Sequence, residues 1–161
     1  GIKIIFYGAK EGWRIADVLA REGIPVILDP MDNIPDSFDA IAARMDNASL
    51  LNAAGVKILI TSQSTHNSYL SRQGAGNAVA YGLPQDEALK ALTINVADVF
   101  GLSKNRGSIE VGKSADLVIW DGNPLEVSSF ATAVMIEGHS ISLVSRSKRL
   151  RDKYLIELGL K

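Results

Sequence analysis

The sequence contains no cysteine. That absence removes disulfides, thiolate metal sites and cysteine nucleophiles together. Histidine is nearly absent as well: His66 and His139 are the only two. A zinc centre needs three or four nitrogen, oxygen or sulfur ligands converging within about 2.0–2.3 Å, so this pair cannot build one alone. An excess of either charge is also missing. Seventeen basic residues against eighteen acidic ones leave a net charge of −1, with no electrostatic footprint for nucleic acid or an anionic membrane. No apolar run approaches the roughly 20 residues of a membrane span, and the N-terminus carries no secretory pattern. The expectation is a soluble, cytoplasmic protein without nucleic-acid or membrane partners. There is no initiator methionine either: Gly1 leads straight into a strand-like run, which suggests a piece of something longer.

What is present is apolar material with two alternating periodicities. At 161 residues and 47% hydrophobic, the chain can bury a real core. "IKIIFYG" reads as a buried strand. "KEGWRIADVLAREG" follows as a helix with Trp13, Ile15, Ala16, Leu19 and Ala20 toward one face and Gly23 as its stop. "IPVILDP" is a second strand, ended by Pro30. A helix capped by Asp36 or Ser37 is expected next, carrying Phe38, Ile41, Ala42, Met45 and Ala48 at helical spacing until Gly55. "VKILITS" is a third buried strand. Strands alternating with helices in this way indicate a parallel sheet.

Beyond the polar loop "SQSTHNSY" the pattern predicts a helix around Leu70 to Tyr81. Another should run from Pro84 to about Phe100, with Leu89, Leu92, Val96 and Phe100 inward. After Gly101 the reading turns to β: "GSIEVG", "ADLVIW", "TAVMIEG" and "SISLVS", with turns at Gly112-Lys113, "DGNPLE" and Gly138-His139. "SKRLRDKYLIELGL" closes the chain as an amphipathic helix, most simply with a solvated basic face.

The stretch "GSIEVGKSADLVIWDGNPLE", preceded by Thr93, Asn95 and Ala97 in a T-x-N-x-A element, resembles the C-terminal end of the amidohydrolase superfamily. The likeness lies closest to its imidazolonepropionase-like and prolidase-like branch. Val96 departs from the pattern, because proline is frequent there in such enzymes. The resemblance implies a (β/α)8 barrel flanked by a small β-sandwich. "IKIIFYG", "IPVILDP" and "VKILITS" would then be barrel strands six to eight, and the quoted stretch the returning part of the sandwich. The domain reading is 1–100 for the barrel part, 101–146 for the sandwich part and 147–161 for the closing helix.

In such enzymes the metal, zinc or another divalent ion, activates a water that attacks a carbonyl or imine carbon of a C–N bond. Its ligands come largely from strands this chain lacks, so no cofactor is expected in the chain itself. Where strand eight should supply an aspartate, the chain offers Ser62, or Ser64 in a shifted register. Barrel sites lie at the C-terminal ends of the strands, which nominates Tyr7, Gly8, Asp29 and the cluster Ser62, Gln63, Ser64, Thr65, His66 and Asn67 as facing the site. Of these, Asp29, His66 and Asn67 are the candidate substrate contacts. Asp29 is equally a common way to leave a strand, and His66 equally a solvated loop residue. A nucleophilic pair of Ser62 or Ser64 with His66 lacks an identifiable orienting acid or oxyanion element. Lys113 and Asp116 read as turn formers, and His139 as part of a hairpin turn.

The resulting expectation is the C-terminal part of a metal-dependent amidohydrolase-type enzyme, inactive in isolation. A small-molecule substrate would belong to a full-length parent. The open strand edges of a partial barrel predict a homodimer. The rivals are a non-catalytic, self-associating remnant and a Rossmann-like nucleotide-binding protein. For the latter, Gly8 and Gly12 in "YGAKEG" do not fit G-x-G-x-x-G.

Overall fold

A computed structural model describes residues 2–62 and 65–160. The fold is mixed α/β. Three parallel strands, β1 (Phe6–Tyr7), β2 (Val26–Leu28) and β3 (Ile58–Ile60), lie side by side in the order β1-β2-β3. Between and after them run α1 (Ala16–Arg21), α2 (Asn47–Ala53), α3 (Ser71–Ala80), α4 (Gln85–Leu92) and α5 (Ile94–Val99). A second sheet is antiparallel, in the order β4 (Leu117–Trp120), β5 (Ala131–Ile136), β6 (His139–Ile141), and α6 (Arg146–Glu157) closes the chain.

The core sits around β2 and β3, the strands read as continuous apolar runs. Val26, Leu28, Ile58 and Ile60 pack with Leu19 of α1, Leu51 of α2 and Leu83. Alanines at Ala75, Ala78, Ala88 and Ala91 let α3 and α4 approach closely. β1 differs from the expected buried strand: only two residues pair, both exposed, with Ile2, Ile4 and Ile5 exposed before them. The reason is topological. β1 has β2 on one side and no strand on the other among the described residues, so nothing covers it or extends its ladder.

The helix expected from Asp36 is displaced. A single tight turn occupies Phe38–Ala40, and regular helix begins only at Asn47. The intervening backbone is taken by long-range partners. Ala42 N–H donates to the Glu11 carboxylate at 2.8 Å and its carbonyl accepts from Trp13 Nε1 at 2.9 Å, while the Asn33 side chain donates to the Arg44 carbonyl. Groups so engaged cannot close i→i−4 bonds. Phe38 is left 94% exposed.

The helix read through to Phe100 is two helices, broken at Thr93 (φ −129°, ψ −93°). Pro84 precedes the first of them as its N-cap. Ala88, Ala91 and Ala97 are buried, and the expected Leu89 and Leu92 pack half-buried against the core, whereas Phe100 is exposed. The Thr93 hydroxyl donates back to the Leu89 carbonyl at 2.7 Å, a local bond that competes with helix continuation.

"GSIEVG" forms no strand, and Ile109 is 87% exposed. Polar side chains close a local turn instead: Lys113 Nζ donates to Ser108 Oγ and to Glu110, and Lys113 N–H donates to the Glu110 carbonyl. β4 is an apolar run of four residues, yet it is not covered on both faces: Val118 and Ile119 are exposed. Trp120 is half-buried beneath the Arg72 guanidinium, 4.8 Å from its ring centre. Trp120→Ala should therefore cost about 1–2 kcal/mol, less than a fully buried tryptophan. Thermal melts of both proteins check this, and an unchanged melting temperature would contradict the contact.

Candidate functional site

The C-terminal ends of β1, β2 and β3 form one rim. The register pairs Tyr7 with Ile27 and Leu28 with Ile60, and Gly8 N–H donates to the Ile27 carbonyl and Thr61 N–H to that of Leu28. Gly8, Asp29 and Ser62 therefore leave neighbouring strands at nearly one level. At such a rim the chain departs from the ladder, and side chains of successive strands can face a common ligand.

Each candidate has a definite place. Asp29 caps the turn Pro30–Asp32, its carboxylate accepting from Met31 N–H at 3.0 Å. Ser62 donates its hydroxyl proton to the Asn67 carbonyl at 2.9 Å, which folds the segment after β3 back over the strand end. His66 is exposed on the turn Thr65–Leu70, and Asn67 beside it is half-buried. Gln63 and Ser64 lie outside the described residues. The structure thus joins Ser62 directly to Asn67, with Asp29 on the adjacent strand end. His139 is elsewhere, exposed at the start of β6 opposite Ile136.

Sequence reading missed an ion cluster at the same rim. Lys10, in the loop after β1, bridges Asp32 at 2.9 Å and Asp36 at 2.8 Å, both from the loop after β2. The Asp36 contact, then that of Asp32, raises the Lys10 pKa above its usual value, and Lys10 in turn lowers that of Asp36. Nothing in a single sequence announces such a pair, since its members come from different loops. Asn47 was missed for the same reason. It accepts from Trp13 N–H at 2.9 Å and donates to the Ala9 carbonyl at 3.0 Å, pinning the loop after β1 to α2.

A metal does not fit the donor set. Among the described residues no group of three His, Cys, Asp or Glu side chains is placed to hold an ion, and a tetrahedral zinc site needs at least three protein ligands.

The motif residues behave as scaffold. Asn95 donates to the Ile58 carbonyl at 3.0 Å, fastening α5 to the start of β3. Ala97 faces Gly107, where an added Cβ would stand 2.6 Å from the Ala97 Cβ. Asp116 accepts from Glu137 N–H at 2.8 Å and pairs with Arg106 at 2.6 Å, tying β4 to the β5–β6 turn. The Glu137 bond leads in holding the Asp116 carboxyl below its ordinary value of 3.8. A carboxyl depressed on folding stabilises fully above its unfolded pKa, and that stabilisation disappears as pH falls through the folded value. Asp116→Asn should lower stability at neutral pH and flatten the acid-induced loss below about pH 4. Melting temperatures across the acid range test this, and identical acid limbs would contradict it.

Comparison with known proteins gives concordant results. The model of the amidohydrolase family matches residues 8–144. An imidazolonepropionase of Sphingopyxis alaskensis is 51% identical over 51 residues, which is 31% of this chain and 13% of the relative. A solved amidohydrolase from Thermotoga maritima superimposes with a TM-score of 0.77 at 31% identity, over 86% of this chain and 36% of its own. A prolidase solved in complex with N-methylphosphonate-L-proline gives a TM-score of 0.65 at 21% identity, over 86% and 40%. The chain thus spans no more than about two fifths of the solved proteins it resembles. No described helix is long and apolar enough to cross a membrane.

Proposed function

The chain belongs to the amidohydrolase family, and from that premise we propose that it forms the C-terminal part of a metal-dependent hydrolase acting on C–N bonds of amides, peptides or cyclic amidines. Residues 1–100 would supply barrel strands six to eight with their helices, residues 101–146 the returning part of the β-sandwich, and residues 147–161 an appended helix. The observation that carries the reading is the rim itself: three adjacent parallel strands end together at Gly8, Asp29 and Ser62, and the polar segment with His66 and Asn67 folds over them. In the proposed enzyme Asp29, His66 and Asn67 contact a small-molecule substrate. Ser62 stands near the place of the strand-eight aspartate but donates to a backbone carbonyl, which suits positioning the loop rather than attacking a substrate.

Among the described residues no donor set is placed to hold a metal, so hydrolysis requires ligands from other strands. The open edge of β1 supports pairing with a further strand, from another part of the enzyme or from a second copy. The test is hydrolysis of dipeptides, N-acyl amino acids and cyclic amidines with added zinc, by the chain alone and by the chain mixed with a polypeptide carrying the early barrel strands. Turnover is expected only in the mixture, and Asp29→Asn or His66→Gln should reduce kcat/KM there about 10-fold or more. Turnover by the chain alone, or none in a mixture shown to assemble, would overturn the reading.

A further inference from the structure

The C-terminal helix stands apart from everything described so far. The family match ends at residue 144 and α6 begins at Arg146, so this element lies outside the matched residues. None of its residues is buried. Charge divides sharply at the same point. Residues 146–161 hold six of the seventeen basic residues and two of the eighteen acidic ones, a net charge of +4. The preceding 145 residues carry −5. The helix also has an apolar stripe, with Leu150, Tyr154 and, just past its end, Leu158 at i, i+4, i+8, all exposed.

A surface with the opposite character lies in the loop after β2. Residues 29–41 contain Asp29, Asp32, Asp36 and Asp39 and no lysine or arginine; with Lys10, which bridges Asp32 and Asp36, the surface still carries a net charge of −3. Interleaved with them, Met31, Ile34, Phe38 and Ile41 are all exposed. Acidic and apolar groups here match basic and apolar groups on α6. The helix is tethered to β6 by residues 142–145, a link reaching at most about 14 Å, and none of its side chains is buried.

We propose that α6 docks on the 29–41 loop of a second copy of this chain, reciprocally across a two-fold axis. Two identical contacts then form per dimer, as an isologous interface requires. An anionic membrane or a nucleic acid would also attract the helix, but the net negative charge of the rest of the chain opposes either approach. The loop borders the Asp29 rim, so each partner's helix covers the mouth of the other copy's candidate site. That consequence rests on the proposed function, whereas the docking itself is measured without substrate or turnover.

The experiment is analytical ultracentrifugation of the full chain at about 50 mM and about 500 mM salt, where screening lengths differ several-fold. The wild type should dimerise at low micromolar concentration, with a dissociation constant at least tenfold weaker at high salt. Arg149→Glu, and separately Asp39→Lys, should each weaken the dimer at least tenfold, since each change is met twice in a two-fold dimer. The two substitutions together should restore it to within about threefold, because reversed charges attract as the originals did. Tyr154→Ser should weaken it without altering the salt dependence. All three side chains are exposed, and circular dichroism checks that each variant stays folded. A wild-type monomer, a dimer indifferent to both charge reversals, or no recovery in the combined variant would overturn the proposal. So would stoichiometric binding of the monomer to phosphatidylserine vesicles, which would assign the helix to lipid.

Discussion

Gly107→Ala is expected to destabilise the protein by about 2–4 kcal/mol, from strain at positive φ together with overpacking. Gly107 has φ +96°, and a Cβ there would lie 2.6 Å from the Ala97 Cβ and 3.1 Å from the Ile94 Cα. The second contact is with helix backbone and cannot be relieved by a rotamer change. For a chain of this size the melting temperature should fall by about 4–16 °C, at 2–4 °C per kcal/mol. Combining the change with Ala97→Gly removes the nearest clash but leaves the strained backbone, so the double variant should lose less than the sum of the single losses. Strict additivity would mean that the two residues do not meet. The pair explains a sequence pattern: the alanine of T-x-N-x-A and the first glycine of G-S-I are two sides of one close approach between α5 and the segment leading into the second sheet.

Asn47→Ala should be of similar size, about 2–4 kcal/mol, because it leaves buried backbone groups without partners. The side chain is 1% exposed and serves Trp13 N–H and the Ala9 carbonyl at once. Asn47→Asp keeps an acceptor for Trp13 but removes the donor to Ala9 and adds a buried charge, so it should rescue nothing. Denaturant unfolding of the three proteins is the check. A loss below about 0.5 kcal/mol, the usual size for a surface substitution, would show that the loop after β1 is held by something else. Because that loop also carries Lys10, hydrogen exchange of residues near it should rise in the same variants.

Much of the first hundred residues was legible because the parallel strands announce themselves: Val26–Leu28 and Ile58–Ile60 are short apolar runs that the fold buries. The caps read poorly. Ser145 accepts from Lys148 N–H at the start of α6 and Asp29 caps the turn after β2, neither of them expected as a cap, whereas Ser37, expected as one, makes no side-chain cap bond. Reading failed where distant groups decide. Residues 36–46 have helical spacing, yet Glu11, Trp13 and Asn33 draw their backbone into other bonds. Thr93 breaks a pattern that looks continuous, and Ile109 and Val111 alternate like a strand but have no neighbour to pair with. For the candidate site, strand-end positions could be counted from the sequence, whereas the Lys10 bridge and the Ser62–Asn67 bond could not. The family resemblance came from the region around Gly107 to Asp121, where Gly107, Lys113 and Asp116 make close-packing, turn and strand-tying contacts.

In the proposed enzyme this chain supplies part of the site, and among its described residues no group is placed to hold the metal. Elemental analysis of protein purified without a histidine tag, after incubation with zinc, manganese or iron and desalting, measures it directly. The donor set predicts well under about 0.1 metal ion per chain, since fewer than three protein ligands hold such an ion weakly. One tightly held ion per chain, lost on His66→Gln or Asp29→Asn, would contradict it.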